Sequence, residues 1–133
     1  MKYLIFTFAI LCVSLSFSQK NKKFIPEKDM VKISLLPGEH TMKVGQKFYY
    51  SGHTHGSVGE QYSISCQSSA FEQVDKHFVY DDIKKSEMSG GDGGTMTMVY
   101  QALKPGVYTV IIKDLFRGEV KYTYELKITV KEK

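Results

Sequence analysis

Two histidines in the stretch "SGHTHG" could bind a metal ion, because His53 and His55 are two residues apart. On a strand this spacing places both imidazoles on one face. Zinc, however, needs three or four well-placed nitrogen, sulfur or oxygen ligands. The other histidines, His40 and His77, are distant in the sequence. A polar loop is therefore the simpler interpretation, and neither a metal nor any other cofactor is predicted.

The candidate nucleophile is Cys66, which follows the alternating stretch "QYSISC". Cys66 has the same phase as Tyr62 and Ile64, so the pattern predicts that its thiol faces inward. A buried cysteine without a basic neighbour behaves as a small apolar residue. The sequence has no "GxSxG" motif, and Asp81-Asp82 fits an exposed turn. We therefore predict that the chain is not an enzyme.

Four glycines, at positions 90, 91, 93 and 94, stand directly before an alternating run in "SGGDGGTMTMVYQALKPG". Glycine loses more backbone freedom on folding than any other residue, so such a cluster needs a physical reason. The stretch lacks the Lys-Ser/Thr of a P-loop and precedes a strand, which excludes a phosphate cradle of that type. Two interpretations are left: a tight turn, or a loop whose backbone must lie close to another surface.

These candidates belong to a chain in which apolar and polar residues alternate. The clearest run is "VKYTYELKITV", residues 120–130, and shorter runs include "QKFYYS", "KHFVY", "TMTMVYQAL" and "GVYTVII". Period-two alternation is typical of half-buried strands, and Pro-Gly or Gly-rich breaks separate the runs. Only "FEQVDK" could form a turn of helix. About seven strands predict an all-β, immunoglobulin-like antiparallel β-sandwich over residues 30–133.

The first 18 residues have the pattern of a secretory signal peptide. Lys2 precedes an apolar run, and Ser16 and Ser18 fit a cleavage site before Gln19. Cleavage would leave residues 19–29 as a flexible N-terminal arm and the product in the periplasm or secreted. Of 18 Lys and Arg residues, 17 would remain against 14 Asp and Glu. This small, scattered excess predicts no nucleic-acid partner, and we expect a monomer without membrane contact after cleavage.

The stretch "GDGGTMTMVYQALKPGVYTVII" resembles the chagasin family of cysteine peptidase inhibitors, with Gly91, Gly93 and Gly94 on the glycines of its "GxGG" motif. The resemblance extends from about Met30 to the C-terminus. It implies an exported immunoglobulin-like domain that reversibly inhibits papain-like cysteine peptidases. In the family, three loops at one end of the sandwich plug the active-site cleft of the enzyme.

The resemblance places the other two loops on "HGSVG" and on the segment before Gly118. Val58 stands where the family has a threonine, and Asp114 stands where it has an arginine. The implied peptidase-binding residues are His55, Gly56, Ser57, Val58, Gly59, Gly91, Asp92, Gly93, Gly94, Asp114, Leu115, Phe116 and Arg117. Two alternatives remain open. One is an exported immunoglobulin-like binding or adhesion module with a non-peptidase partner, and the other is a metal-carrying periplasmic protein that uses His53 and His55.

Overall fold

The structure is a computed structural model that describes residues 22–82 and 93–133. The predicted signal peptide, residues 1–18, lies outside the described residues. The structure confirms the predicted all-β class. A short 3-10 helix, Gly56–Val58, connects the third and fourth strands. The strands are β1 Val31–Lys32, β2 Glu39–Lys43, β3 Lys47–His55, β4 Glu60–Ser65, β5 Phe71–Tyr80, β6 Gly93–Ala102, β7 Gly106–Phe116 and β8 Glu119–Lys131.

The strands form one hydrogen-bonded path, β2-β8-β7-β4-β3-β6-β5, with β1 paired to β3. Between β4 and β3 this path is held by a single residue pair, His55 with Glu60, so the sheet folds back on itself there. Aromatic pairs join the two resulting layers: the ring centroids of Tyr50 and Tyr62 are 5.0 Å apart. The layers are β5-β6-β3-β1 and β4-β7-β8-β2, which confirms the predicted sandwich.

The core lies between the layers because the alternating residues of both sheets face each other. Phe48 on β3 packs edge-on against Phe71 on β5 and is stacked with Tyr100 on β6. In the opposite layer, Ile112 and Ile128 are completely buried. Burying each large aliphatic side chain stabilises the fold by about 1.5–3 kcal/mol, so this interlayer contact is the main source of stability. Cys66 packs half-buried against the core as predicted, and burial raises the pKa of its thiol.

The segment "FEQVDK" is not helical, which corrects the interpretation from sequence. It forms the first half of β5, and the pairing of β5 with β6 shifts register between Gln73 and Asp75. Such a bulge inserts one extra residue and interrupts the period-two pattern. The interrupted alternation is the reason why the sequence signal for a strand was weak here.

Residues 22–29, part of the predicted N-terminal arm, lie along the outer face of the β5-β6-β3 layer. The Phe24 ring centroid is 5.1 Å from that of Tyr49, and the Gln46 side chain donates a 2.7 Å hydrogen bond to the Asp29 carbonyl. None of the described residues forms a helix long and apolar enough to cross a membrane.

Candidate functional site

Three strand connections meet at one end of the sandwich. They are residues 56–59 between β3 and β4, the β5–β6 connection with Asp81 and Gly93 at its two sides, and the Arg117-Gly118 turn between β7 and β8; we call this region the loop end. The Arg117 N–H donates to the Gly59 carbonyl at 2.8 Å, which joins the β7–β8 turn to the β3–β4 connection. The Asp81 N–H donates to the Gly93 carbonyl at 2.9 Å within the β5–β6 connection, and Gly93 pairs with His55, which directly precedes the β3–β4 connection. The structure therefore brings together the described parts of all three predicted loops.

The β3–β4 connection owes its shape to the short 3-10 helix and to Gly59. Gly59 has φ +81° and donates its N–H to the Gly56 carbonyl at 3.1 Å. A Cβ atom at Gly59 would lie 3.0 Å from the Cα atom of Arg117. The glycine is thus needed both for its left-handed backbone and for the close approach of the β7–β8 turn. Beside it, Val58 exposes 44% of its surface.

The described part of the glycine-rich stretch belongs to a strand. Gly93 and Gly94 are the first two residues of β6 and pair with His55 and Thr54. Among the described residues, positive φ angles occur at other glycines and at Arg117, so neither Gly93 nor Gly94 has a left-handed backbone. Gly91 and Asp92, also assigned to this loop, lie outside the described residues.

Gly94 is instead required by its neighbour in the sheet. A Cβ atom there would lie 2.4 Å from the Val79 carbonyl oxygen and 2.5 Å from the Phe78 ring. The surface that Gly94 approaches closely is therefore strand β5 of the same chain. At Gly93 a Cβ atom would meet the His55 ring at 2.9 Å.

The β7–β8 turn presents Phe116 and Arg117 at the tip of the loop end. Phe116 pairs with Glu119 across the hairpin, and Arg117 and Gly118 have φ +50° and +82°. Positive φ at both central residues defines a type I′ turn, which favours Asn-Gly over Arg-Gly. The Arg117 guanidinium lies 5.2 Å from the Phe116 ring centroid. Phe116 nevertheless stays 39% exposed.

Asp114 does not lie at this tip, although the resemblance placed it in the same loop. It pairs with Tyr62 on β4 and with Tyr122 on β8, within the sheet. Burial, followed by the charge of Asp114, raises the pKa of Tyr50 in the opposite layer. Leu115, the next predicted residue, lies half-exposed beside it and pairs with Gln61.

Several exposed apolar side chains surround the predicted residues at the loop end. Tyr122, which is 64% exposed, has the same alternation as the buried residues of β8, so the sequence pattern assigned it to the core. Alternation shows which face a residue is on, but it does not show where the opposite sheet ends. The exposed apolar residues here are Val58, Tyr80, Phe116, Val120 and Tyr122.

A cleft of about 670 Å³ opens between the layers beside the β3–β4 connection. It is lined mainly by aromatic and methionine side chains, and Gly56 and Ser57 lie at its edge. Sequence reasoning missed this cleft because its walls come from strands that are distant in the chain. The apolar lining residues are Tyr62, Phe78, Tyr80, Met96 and Met98.

His53 contacts two carboxylates at the base of the loop end. Its Nδ1 is 3.1 Å from Glu60 Oε2, and its Nε2 is 2.8 Å from Asp81 Oδ2. The hydrogen bond to Asp81 raises the pKa of His53, partly opposed by burial and assisted by Glu60. Within residues 22–82 and 93–133, no group of three or more His, Cys, Asp or Glu residues could hold a metal ion.

No protein-family model matches the chain, and no curated protein matches it in sequence. Solved structures do match. The cysteine protease inhibitor EhICP2 from Entamoeba histolytica is similar with a TM-score of 0.61 and 9% identity, over 77% of this chain and 93% of that one. The chain has the fold of a cysteine protease inhibitor.

Two further structures are similar. Amebosin matches with a TM-score of 0.56 and 15% identity, over 77% of this chain and 96% of its own. PbICP-C, solved in complex with falcipain-2, matches with a TM-score of 0.45 and 12% identity, over 79% of this chain and 99% of its own. The similarity to EhICP2 and amebosin confirms, at the level of the fold, the resemblance to the chagasin family that the sequence suggested.

Proposed function

We propose that this chain is an exported, reversible inhibitor of papain-like cysteine peptidases that inserts its loop end into the active-site cleft. The observation that carries the proposal is the meeting of the three connections at one end of a sandwich whose fold is that of a cysteine protease inhibitor. The chain acts by binding, so it needs no cofactor and carries out no chemical step.

The contacts between the connections support a preorganised binding surface. The Arg117–Gly59 backbone hydrogen bond fixes the β7–β8 turn relative to the β3–β4 connection. The pairing of Gly93 with His55 fixes the end of the β5–β6 connection beside the start of the β3–β4 connection. Loops that are already ordered lose little conformational entropy on binding, which leaves more of the contact energy as affinity.

Phe116 and Val58 supply the apolar contacts. Both are exposed at the loop end, and a partly exposed aromatic ring that becomes buried in a pocket is a typical binding hot spot. Arg117, next to Phe116, provides the positive charge at the tip. Asp114 lies on β7 within the sheet, where it pairs with residues of β4 and β8. The peptidase cleft should therefore offer an apolar pocket with an acidic or carbonyl-rich rim.

An inhibition assay tests this proposal. The mature protein, residues 19–133, is added in excess to a panel of papain-like peptidases with a fluorogenic substrate, and a serine peptidase serves as the control. We expect inhibition of at least one papain-like enzyme, recovery of activity on dilution, and an uncleaved inhibitor by intact mass. Full activity across the panel would reject the proposal and favour the exported binding or adhesion module with a non-peptidase partner.

A further inference from the structure

His53 connects parts of the chain that are far apart in sequence. It lies on β3, while Glu60 begins β4 and Asp81 directly follows β5, and both carboxylates are within 3.1 Å of its ring nitrogens. We call this arrangement the His53 bridge. Through His53, the bridge joins the first residue of β4, Glu60, to the residue that directly follows β5, Asp81.

The bridge depends on the protonation state of the imidazole. A protonated histidine has two N–H donors, one for each carboxylate, whereas a neutral histidine has only one. In the neutral ring, one nitrogen lone pair would face a carboxylate oxygen. The two contacts can therefore be favourable together only in the protonated form.

We propose that His53 is a positioning residue that, when its imidazole is protonated, holds the start of β4 and the end of β5 in the arrangement that binds the peptidase, so that inhibition strengthens as the pH falls. This inference rests on the proposed inhibitory function. It adds a pH dependence of inhibition, which the contacts of Phe116 and Arg117 at the tip do not explain.

The charged groups around His53 favour the protonated ring. Glu60 on β4 and Asp81 after β5 are acidic and in contact. His53 lines a second cleft, of about 570 Å³, together with Lys121 on β8. Lys121 is paired with Glu119 at 3.1 Å. The other titratable side chains that line this cleft are Asp114 on β7 and the tyrosines Tyr50, Tyr62 and Tyr122. His55 lies two residues further along β3, and β6 contributes the uncharged Thr95 and Gly93.

The direction of the effect follows from the raised pKa of His53. The stabilisation that the His53 bridge provides is complete below the unfolded-state pKa of histidine, about 6.5. It is lost as the pH rises through the higher pKa that His53 has in the folded protein. The His53 side chain is 47% exposed, so solvent weakens both ion pairs. Losing exposed ion pairs of this kind should change the inhibition constant by about two- to fivefold.

The test compares the parent with His53→Gln against one inhibited peptidase between about pH 5 and pH 9. The ratio of the two inhibition constants at each pH cancels the titration of the peptidase itself. We expect His53→Gln to inhibit about two- to fivefold more weakly at the acidic end and equally at the alkaline end. His40→Gln, on β2 in the opposite layer, is the matched control and should leave the ratio at one throughout. A His53→Gln ratio that does not change with pH would overturn the inference.

A second measurement separates this inference from the proposed function. An NMR titration of the free protein follows the His53 ring together with the amide signals of Glu60 and Asp81. We expect these amides to shift with the same midpoint as the ring, above that of an exposed histidine. If they do so and no peptidase is inhibited, the proposed function fails but the bridge stands. If His53 titrates without affecting either amide, the bridge is rejected even where inhibition is observed.

Discussion

Replacing Gly94 with alanine should destabilise the sandwich. The added methyl group would lie 2.4 Å from the Val79 carbonyl oxygen and 2.5 Å from the Phe78 ring. The ring can rotate, but the carbonyl belongs to the backbone of β5, which is paired with β6 through Val79 and Thr95. The two strands must therefore move apart locally.

The expected cost follows from these distances. Forcing an additional methyl group into a packed site typically costs about 1–3 kcal/mol. Alanine recovers about 0.5–1 kcal/mol relative to glycine in the interior of a strand, because the unfolded chain has less freedom to lose. The difference between these two effects leaves a net destabilisation of Gly94→Ala of about 1 kcal/mol, within a range of roughly 0–2.5 kcal/mol. For a domain of this size, 1 kcal/mol corresponds to a decrease in Tm of roughly 4–8 °C.

Urea and thermal unfolding, followed by circular dichroism, measure this change. Gly38→Ala is the matched control, because a Cβ atom at Gly38 would have no neighbour within 4 Å and its φ is not positive. That variant should be unchanged or up to about 1 kcal/mol more stable. If Gly94→Ala is as stable as Gly38→Ala, the close approach of β5 to β6 is wrong.

Three further predictions concern the tip and the leader. Phe116→Ala should weaken inhibition by about 2 kcal/mol, roughly thirtyfold, with an unchanged circular dichroism spectrum. Val107 is also exposed but lies outside the loop end, so Val107→Ala should inhibit normally. Equal inhibition by both variants would contradict the role of Phe116. Arg117→Asn should raise the free energy of unfolding by about 1 kcal/mol, because asparagine adopts positive φ more readily; an unchanged urea midpoint would argue against the type I′ turn. Exported protein should begin at Gln19 by intact-mass measurement, and a product that retains residues 1–18 would refute the predicted cleavage.

The sequence determined the strands because alternation is a local property. The runs around Tyr62, Tyr108 and Leu126 show their inward and outward faces residue by residue, and the structure buries or half-buries all three. Where local order is interrupted, as at the β5 bulge near Val74, the same reasoning failed. The fold class could thus be predicted because many short patterns agreed, and one irregular strand did not change the result.

The tertiary structure decided which of these residues are available for binding. Tyr122 and Leu126 have the same phase on β8, but one is exposed and the other buried, because the opposite layer covers only part of the strand. Gly94 was assigned to a binding loop, yet its close neighbour is β5 of the same chain. His53 gains its two carboxylates only when β4 and the end of β5 are brought beside β3. The physical reason is that burial and ion pairing depend on distances between segments that are remote in sequence, whereas alternation depends only on neighbours along the chain.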